Sequence, residues 1–124
     1  LGGTVSVIDT NSYKVIHNIK FEKKGIRSTE ITPVDFAMSN DGKLAYITLG
    51  RSKHVAIVQT ENYEVIDYIL AGSRVWGAAI SSDDKTLIVT NGNSDDISII
   101  DLIKQTAVSS IPVGITPHTV RVMK

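Results

Sequence analysis

Apolar residues in this chain come in short runs, each closed by a polar turn, and the runs recur at fixed spacing. TVSVIDT at Thr4–Thr10 answers to HVAIVQT at His54–Thr60 and to DISIIDL at Asp96–Leu102. A second set aligns AMSNDGK at Ala37–Lys43 with AISSDDK at Ala79–Lys85, and YIT at Tyr46–Thr48 with IVT at Ile88–Thr90. Between second and third copies the offset is 42 residues in both sets, from 54 to 96 and from 37 to 79. Between first and second copies it is 50, from 4 to 54, and the surplus eight residues fall between Ile19 and Pro33. A constant offset with one localised insertion marks a tandem array carrying one long loop.

Each unit holds four short apolar runs, which in the second unit lie near 34–39, 44–49, 54–59 and 64–70. NDGK at Asn40–Lys43 separates the first two, a hairpin signal because glycine tolerates the positive φ of such turns. No stretch of ten or more residues has helical period. The class is therefore all-β, and the period predicts a β-propeller of four-stranded antiparallel blades. A blade sandwiched between neighbours buries both faces, so its middle strands should lose strict alternation, as Leu87–Val89 and Ile97–Ile100 do. Strands near the axis are crowded, which suits Ala37, Gly77, Ala78 and Ala79. A β-sandwich would show more alternation and no constant register.

The strings TVSVIDT, DISIIDL, Ile111–Gly114 (IPVG) and Leu87–Gly92 (LIVTNG) resemble the blade consensus of the YVTN-repeat propeller proteins. Asn40–Lys43 and Ser82–Lys85 stand for the turn of that consensus, Ala45–Leu49 and Leu87–Asn91 for its namesake strand. The resemblance covers almost the whole chain. It looks closest to the propellers associated with quinone-cofactor-dependent alcohol oxidation, and more loosely to surface-layer and cytochrome d1-like propellers. Three positions depart from the pattern: Gln59 stands for the strand-ending Asp, Asp84 for the turn Gly, and Leu49 for the Asn of the namesake strand.

The pattern predicts about three blades: the outer two strands of one (4–9 and 15–20), complete blades at 34–70 and 76–112, and a lone closing inner strand at 118–123. Closed propellers have about four to eight blades. The chain thus reads as the C-terminal part of a longer propeller whose missing blades supply its partners. The alternative is that two or more copies complete one another.

Composition changes this picture little. Lys plus Arg equals Asp plus Glu at 13 each in 124 residues, so no excess charge draws the chain to nucleic acid. The longest apolar runs are too short for a helical membrane span. Absence of cysteine excludes disulfides, thiolate metal sites and haem attachment through cysteine. The chain opens on Leu1, with no signal peptide visible, which leaves a removed signal or a larger parent open. A periplasmic or extracellular location is implied by the resemblance alone.

Loops entering inner strands and loops joining second to third strands share one end of a propeller, its customary binding face. Those loops offer Arg51, Arg74, Trp76, Asn93 and His118, and Trp76 and His118 occupy equivalent positions. They could line a site for a protein or small-molecule partner, or simply plug the channel. Lys20, Lys23, Lys24 and Arg27 form a basic loop within the insertion, read as a solvated loop or as a contact for an acidic partner. The oxygen-rich Asn91–Asp96 lacks EF-hand spacing and reads as a self-bonded turn. His17, His54 and His118 fall at non-equivalent places, and Asp9, Asp101 and Gln59 end equivalent strands. No catalytic set, metal site or cofactor is assigned. The leading expectation is a non-catalytic binding or scaffold propeller. The alternatives are the propeller part of a quinone- or haem-linked dehydrogenase or lactonase-like enzyme, and a cell-surface adhesion module.

Overall fold

The computed structural model describes residues 3–123 and bears out the all-β expectation. Ten strands run in chain order: β1 Thr4–Asp9, β2 Lys14–Lys20, β3 Phe36–Met38, β4 Leu44–Thr48, β5 His54–Gln59, β6 Val65–Leu70, β7 Val75–Ile80, β8 Thr86–Asn91, β9 Asp96–Asp101 and β10 Thr106–Pro112. They form one two-stranded sheet, β1-β2, and two four-stranded meanders, β3-β4-β5-β6 and β7-β8-β9-β10. Every pairing is antiparallel. These sheets are propeller blades.

Burial follows from stacking. Along β5 the side chains of Val55, Ala56, Ile57 and Val58 are all buried. Val55 and Ile57 join a core with Ile69 of their own blade and Val75, Leu87, Val89 and Ile100 of the next. Ala56 and Val58 point the other way, into a core with Ile19, Phe21, Ile31, Ile47 and Leu49. Strands facing a neighbour on one side only behave differently. Every residue of β10 is exposed, and β1 alternates between exposed and half-buried.

The crowding expected near the axis is real: a Cβ on Gly77 would come within 2.5 Å of the His118 carbonyl oxygen. The insertion, however, is more than a solvated loop. Its charges are exposed except for the half-buried Lys23, but Phe21 and Ile31 are buried against β4 and β5, and a 3₁₀ turn at Ser28–Glu30 returns the chain to β3. Segment 118–123 carries no strand ladder. It does lie against β7, and Thr90 donates to the His118 carbonyl at 3.1 Å, as Thr48 donates to the Trp76 carbonyl at 2.6 Å. The segment thus occupies an inner-strand place, but a strand needs a ladder partner, and among the described residues none stands beside it.

Candidate functional site

Trp76 owes its position to a bulge. Val75 pairs with Asn91 and Ala78 with Val89, so Trp76 and Gly77 together face the single Thr90. Such bulges bend a strand and re-aim its side chains. The Gly77 N–H is satisfied by the Thr90 hydroxyl at 2.8 Å. Just before the bulge, Arg74 adopts a left-handed φ of 58°. Its guanidinium carbon lies 4.7 Å from the centroid of the Trp76 ring. On the indole the His118 imidazole also packs, with ring centroids 4.6 Å apart and planes inclined by 41°.

The expected face residues therefore converge in part. Arg74, Trp76 and His118 form one group, brought from adjacent inner-strand places by the 42-residue repeat. Asn93 flanks it: its N–H donates to the Ser73 carbonyl at 3.2 Å, and the neighbouring Gly92 N–H donates to the Arg74 carbonyl at 3.0 Å. Arg51 is exposed at the same end, directly after Gly50, whose carbonyl accepts the Val75 N–H at 3.1 Å. The basic loop belongs to a different junction. Lys23 lies over the ring of Tyr68 on β6 at 5.7 Å, and the Tyr68 hydroxyl exchanges hydrogen bonds with the Glu22 backbone at 3.0 and 2.9 Å. Lys20, Lys24 and Arg27 are exposed there.

Physically, the Trp76 group offers an amphipathic surface. A guanidinium over an indole face is held by attraction to the ring quadrupole, about 0.5–1 kcal/mol where exposed. The ring supplies stacking area, and the guanidinium and imidazole supply hydrogen-bonding groups at its margin.

The oxygen-rich loop serves itself. Asn91, fully buried, donates to the Asp96 carboxylate and the Ser98 hydroxyl, both at 2.9 Å, and accepts the Gly72 N–H at 3.2 Å. Ser94 and Ser110 also donate to Asp96, and Thr116 N–H donates to Asp95 at 2.8 Å. Burial raises the Asp96 pKa, but the hydrogen bonds from Ser110, Ser94 and Asn91 outweigh it and leave the net shift downward. Asp9 and Asp101 cap the turns that follow their strands, each accepting two backbone N–H groups. In the turn after Gln59 the side-chain acceptor is instead Asn62, which takes a different group, the Glu64 N–H, at 3.1 Å.

The opposite end of the blades holds a cavity of about 720 Å³ that the sequence expectations passed over. Tyr46, Asp41, Glu61 and Asp84 are among the residues lining it. Its one signal in the sequence is the departure of Asp84 from the turn glycine.

No protein-family model matches the chain, and no curated protein matches it. Solved structures do. Hydrazine synthase from Kuenenia stuttgartiensis superimposes with a TM-score of 0.73 at 22% identity, covering 82% of this chain and 29% of that one. Dihydro-heme d1 dehydrogenase NirN in complex with DHE gives 0.70 at 19% identity, covering 97% and 26%. A functionally unknown protein from Desulfotomaculum acetoxidans DSM 771 gives 0.72 at 17% identity, covering 94% and 37%. At these identities the likeness concerns the fold, and this chain spans less than two-fifths of each neighbour's length. Among the described residues no helix is long and apolar enough to cross a membrane.

Proposed function

We propose that this chain is a non-catalytic binding module of a longer, exported propeller of the YVTN type, and that it engages its partner through the end carrying Arg74, Trp76 and His118. One observation carries the reading: guanidinium, indole and imidazole from successive inner-strand places are packed into a single group, the guanidinium carbon 4.7 Å from the indole centroid and the two ring centroids 4.6 Å apart. An array of this kind suits a protein or small-molecule partner that sets a flat apolar surface beside an acidic or hydrogen-bonding group. Arg51 and Asn93 widen the same surface. The missing blades come from the remainder of the parent chain, in keeping with the greater length of the structural neighbours.

The test is a co-purification of the full gene product from its native cells, wild type against the Arg74→Ala/Trp76→Ala/His118→Ala triple variant. A partner retained by the wild type and lost from a folded triple variant supports the reading. Equal retention by both refutes it.

A second reading makes the chain the propeller part of a redox enzyme, favoured by two neighbours whose names are those of enzymes, one a dihydro-heme d1 dehydrogenase. On that reading the catalytic groups lie elsewhere in the parent or on another chain. A haem or quinone absorption band in the full gene product, weakened by the triple variant, would favour it over the first.

A further inference from the structure

The charged groups at the Trp76 end are not equally engaged. Three acids stand on the strands and loops beside the group, and each is turned to protein donors. Asp35 accepts the Phe36 N–H at 2.9 Å and, across the blade junction, the Ala78 N–H at 3.2 Å. Asp95 accepts the Thr116 N–H at 2.8 Å, and Asp96 takes Asn91, Ser94 and Ser110 together. The cations have no such partners. Among the described residues the half-buried Arg74 guanidinium meets the Trp76 ring, but no carboxylate within ion-pair distance and no hydrogen-bond acceptor. No buried side-chain nitrogen among those residues lacks a partner, so the unbonded nitrogens of Arg74 are open to solvent and to a ligand. Arg51 and Lys53 are exposed on the neighbouring β4–β5 loop.

The guanidinium is also fixed in advance. Its backbone φ of 58° recurs as 52° at Thr116, one repeat later, so the fold and not the arginine sets that conformation. Beneath the indole lies the buried Gly92, where a Cβ would sit 3.6 Å from the ring. The ring quadrupole attracts the guanidinium from above, and the His118 imidazole packs on the same indole. A planar fork held in this way loses little freedom when it binds. Thr32 and Val34 stand at the corresponding places of the preceding blade, and Thr116 and His118 at those of the following segment. The repeat itself therefore calls for neither a guanidinium nor an indole here.

We propose, resting on the reading of this end as the binding face, that it recognises an organic carboxylate, with both oxygens on the Arg74 guanidinium and the apolar body against the rim of Trp76 and His118. The guanidinium fork matches the two oxygens of a carboxylate. A carboxylate sets one negative charge against the one guanidinium of the group, whereas a phosphate monoester carries about 1.5–2 near pH 7. The imidazole adds a polar contact through the nitrogen remote from Thr119, whose hydroxyl oxygen lies 3.2 Å from Nδ1. Such a carboxylate arrives either on a free small acid or on an aspartate or glutamate of another protein.

Fluorine NMR of 4-fluorobenzoate added to the full gene product tests the assignment, with 4-fluorobenzamide as the neutral counterpart. Saturable line broadening is expected for the acid in the range of about 1 mM, and none for the amide. Arg74→Gln should weaken binding by about tenfold or more, while Lys85→Ala, which removes a positive charge at the opposite end, should leave it unchanged. Arg74→Gln should stay folded, because glutamine already holds the left-handed backbone at Gln105 and no side-chain hydrogen bond is lost. Displacement of the acid by the blocked dipeptide acetyl-Glu-Phe-amide assigns the carboxylate to a protein side chain, and failure to displace it assigns a free small acid. No broadening up to about 10 mM, equal broadening of the amide, or undiminished binding in Arg74→Gln would overturn the assignment. A partner lost from the triple variant with no acid bound would leave the binding face standing and remove only its carboxylate chemistry. Acid bound by a protein whose triple variant keeps the partner would do the reverse.

Discussion

Thr48 donates its hydroxyl proton to the Trp76 carbonyl at 2.6 Å, joining the second strand of one blade to the inner strand of the next. The same oxygen accepts the Asp35 N–H at 3.0 Å. One repeat later, Thr90 accepts the Gly77 N–H at 2.8 Å and donates to the His118 carbonyl at 3.1 Å. Both threonines are essentially inaccessible to solvent. Their hydroxyls satisfy backbone groups in places where water cannot, and so hold the blades in step.

Replacing Thr48 by Val keeps the shape and removes those bonds. A loss of about 1–3 kcal/mol is expected from the backbone groups left without partners. Urea unfolding should show it as a lower midpoint with an unchanged slope.

Position 84 sets strain against contact. Asp84 has a left-handed φ of 57°, and its carboxylate accepts the Asn40 N–H of the neighbouring blade at 3.0 and 3.1 Å. Asp84→Ala keeps the left-handed backbone and loses that bond, whereas Asp84→Gly loses the bond but relieves the strain. Glycine should therefore be the more stable of the two variants by about 1 kcal/mol. Thermal unfolding of the pair measures the difference. Equal midpoints would count against strain at this position.

Phe21 distinguishes a packed insertion from a solvated one. It is 4% exposed and sits in the core shared by the first two sheets. Phe21→Ala should cost about 3–5 kcal/mol, while Lys24→Ala, at an exposed site, should stay within about 0.5 kcal/mol of the parent. Denaturant titration of both variants compares the two.

Trp76 is the chain's one tryptophan, so its emission reports on the face directly. Arg74→Ala uncovers the indole and should shift emission to the red, with a stability change below about 1 kcal/mol. An unchanged spectrum would mean that the guanidinium does not cover the ring in solution.

Acid should loosen the last complete blade. Hydrogen bonds place the folded-state pKa of Asp96 below its ordinary value of 3.8, after the opposing effect of burial. A depressed folded pKa contributes stability that is present above the unfolded value and is lost as pH falls through the folded one. Urea midpoints should therefore fall as pH drops below about 4, and less steeply in Asp96→Asn.

Much of the fold was legible in the residues. The strings at His54 and Asp96 each became the third strand of a four-stranded blade, the string at Thr4 became a strand of the two-stranded sheet, and NDGK became the turn it resembles, because strand pattern and turn chemistry are local properties. The shared place of Trp76 and His118 could be read from the offset alone. Their stacking, and the arrival of Arg74 over the same ring, could not, since both depend on a bulge at Trp76–Gly77 that no turn residue announces. Tyr46 reads as an ordinary strand residue. Only the junction with the next blade brings it and Asp84 into the lining of one cavity.

Backbone conformation separates the two contributions most clearly. The sequence alone determined the repeat, the order of the strands from Thr4 to Pro112, and the glycine-marked turn at Gly42. Left-handed residues, however, recur at the repeat's own spacing with no regard for residue type: Lys53 with Asp95, Tyr63 with Gln105, Arg74 with Thr116, Gly42 with Asp84. Nothing in lysine, tyrosine, arginine or threonine favours that conformation. The tertiary structure imposes it, because hydrogen bonds and packing on both sides of each turn outweigh about 1–2 kcal/mol of local strain. The same reason governs burial. The apolar run Val55–Val58 of β5 is buried throughout while every residue of β10 is exposed, according to whether a second blade covers them, and that is decided by neighbours distant in the chain.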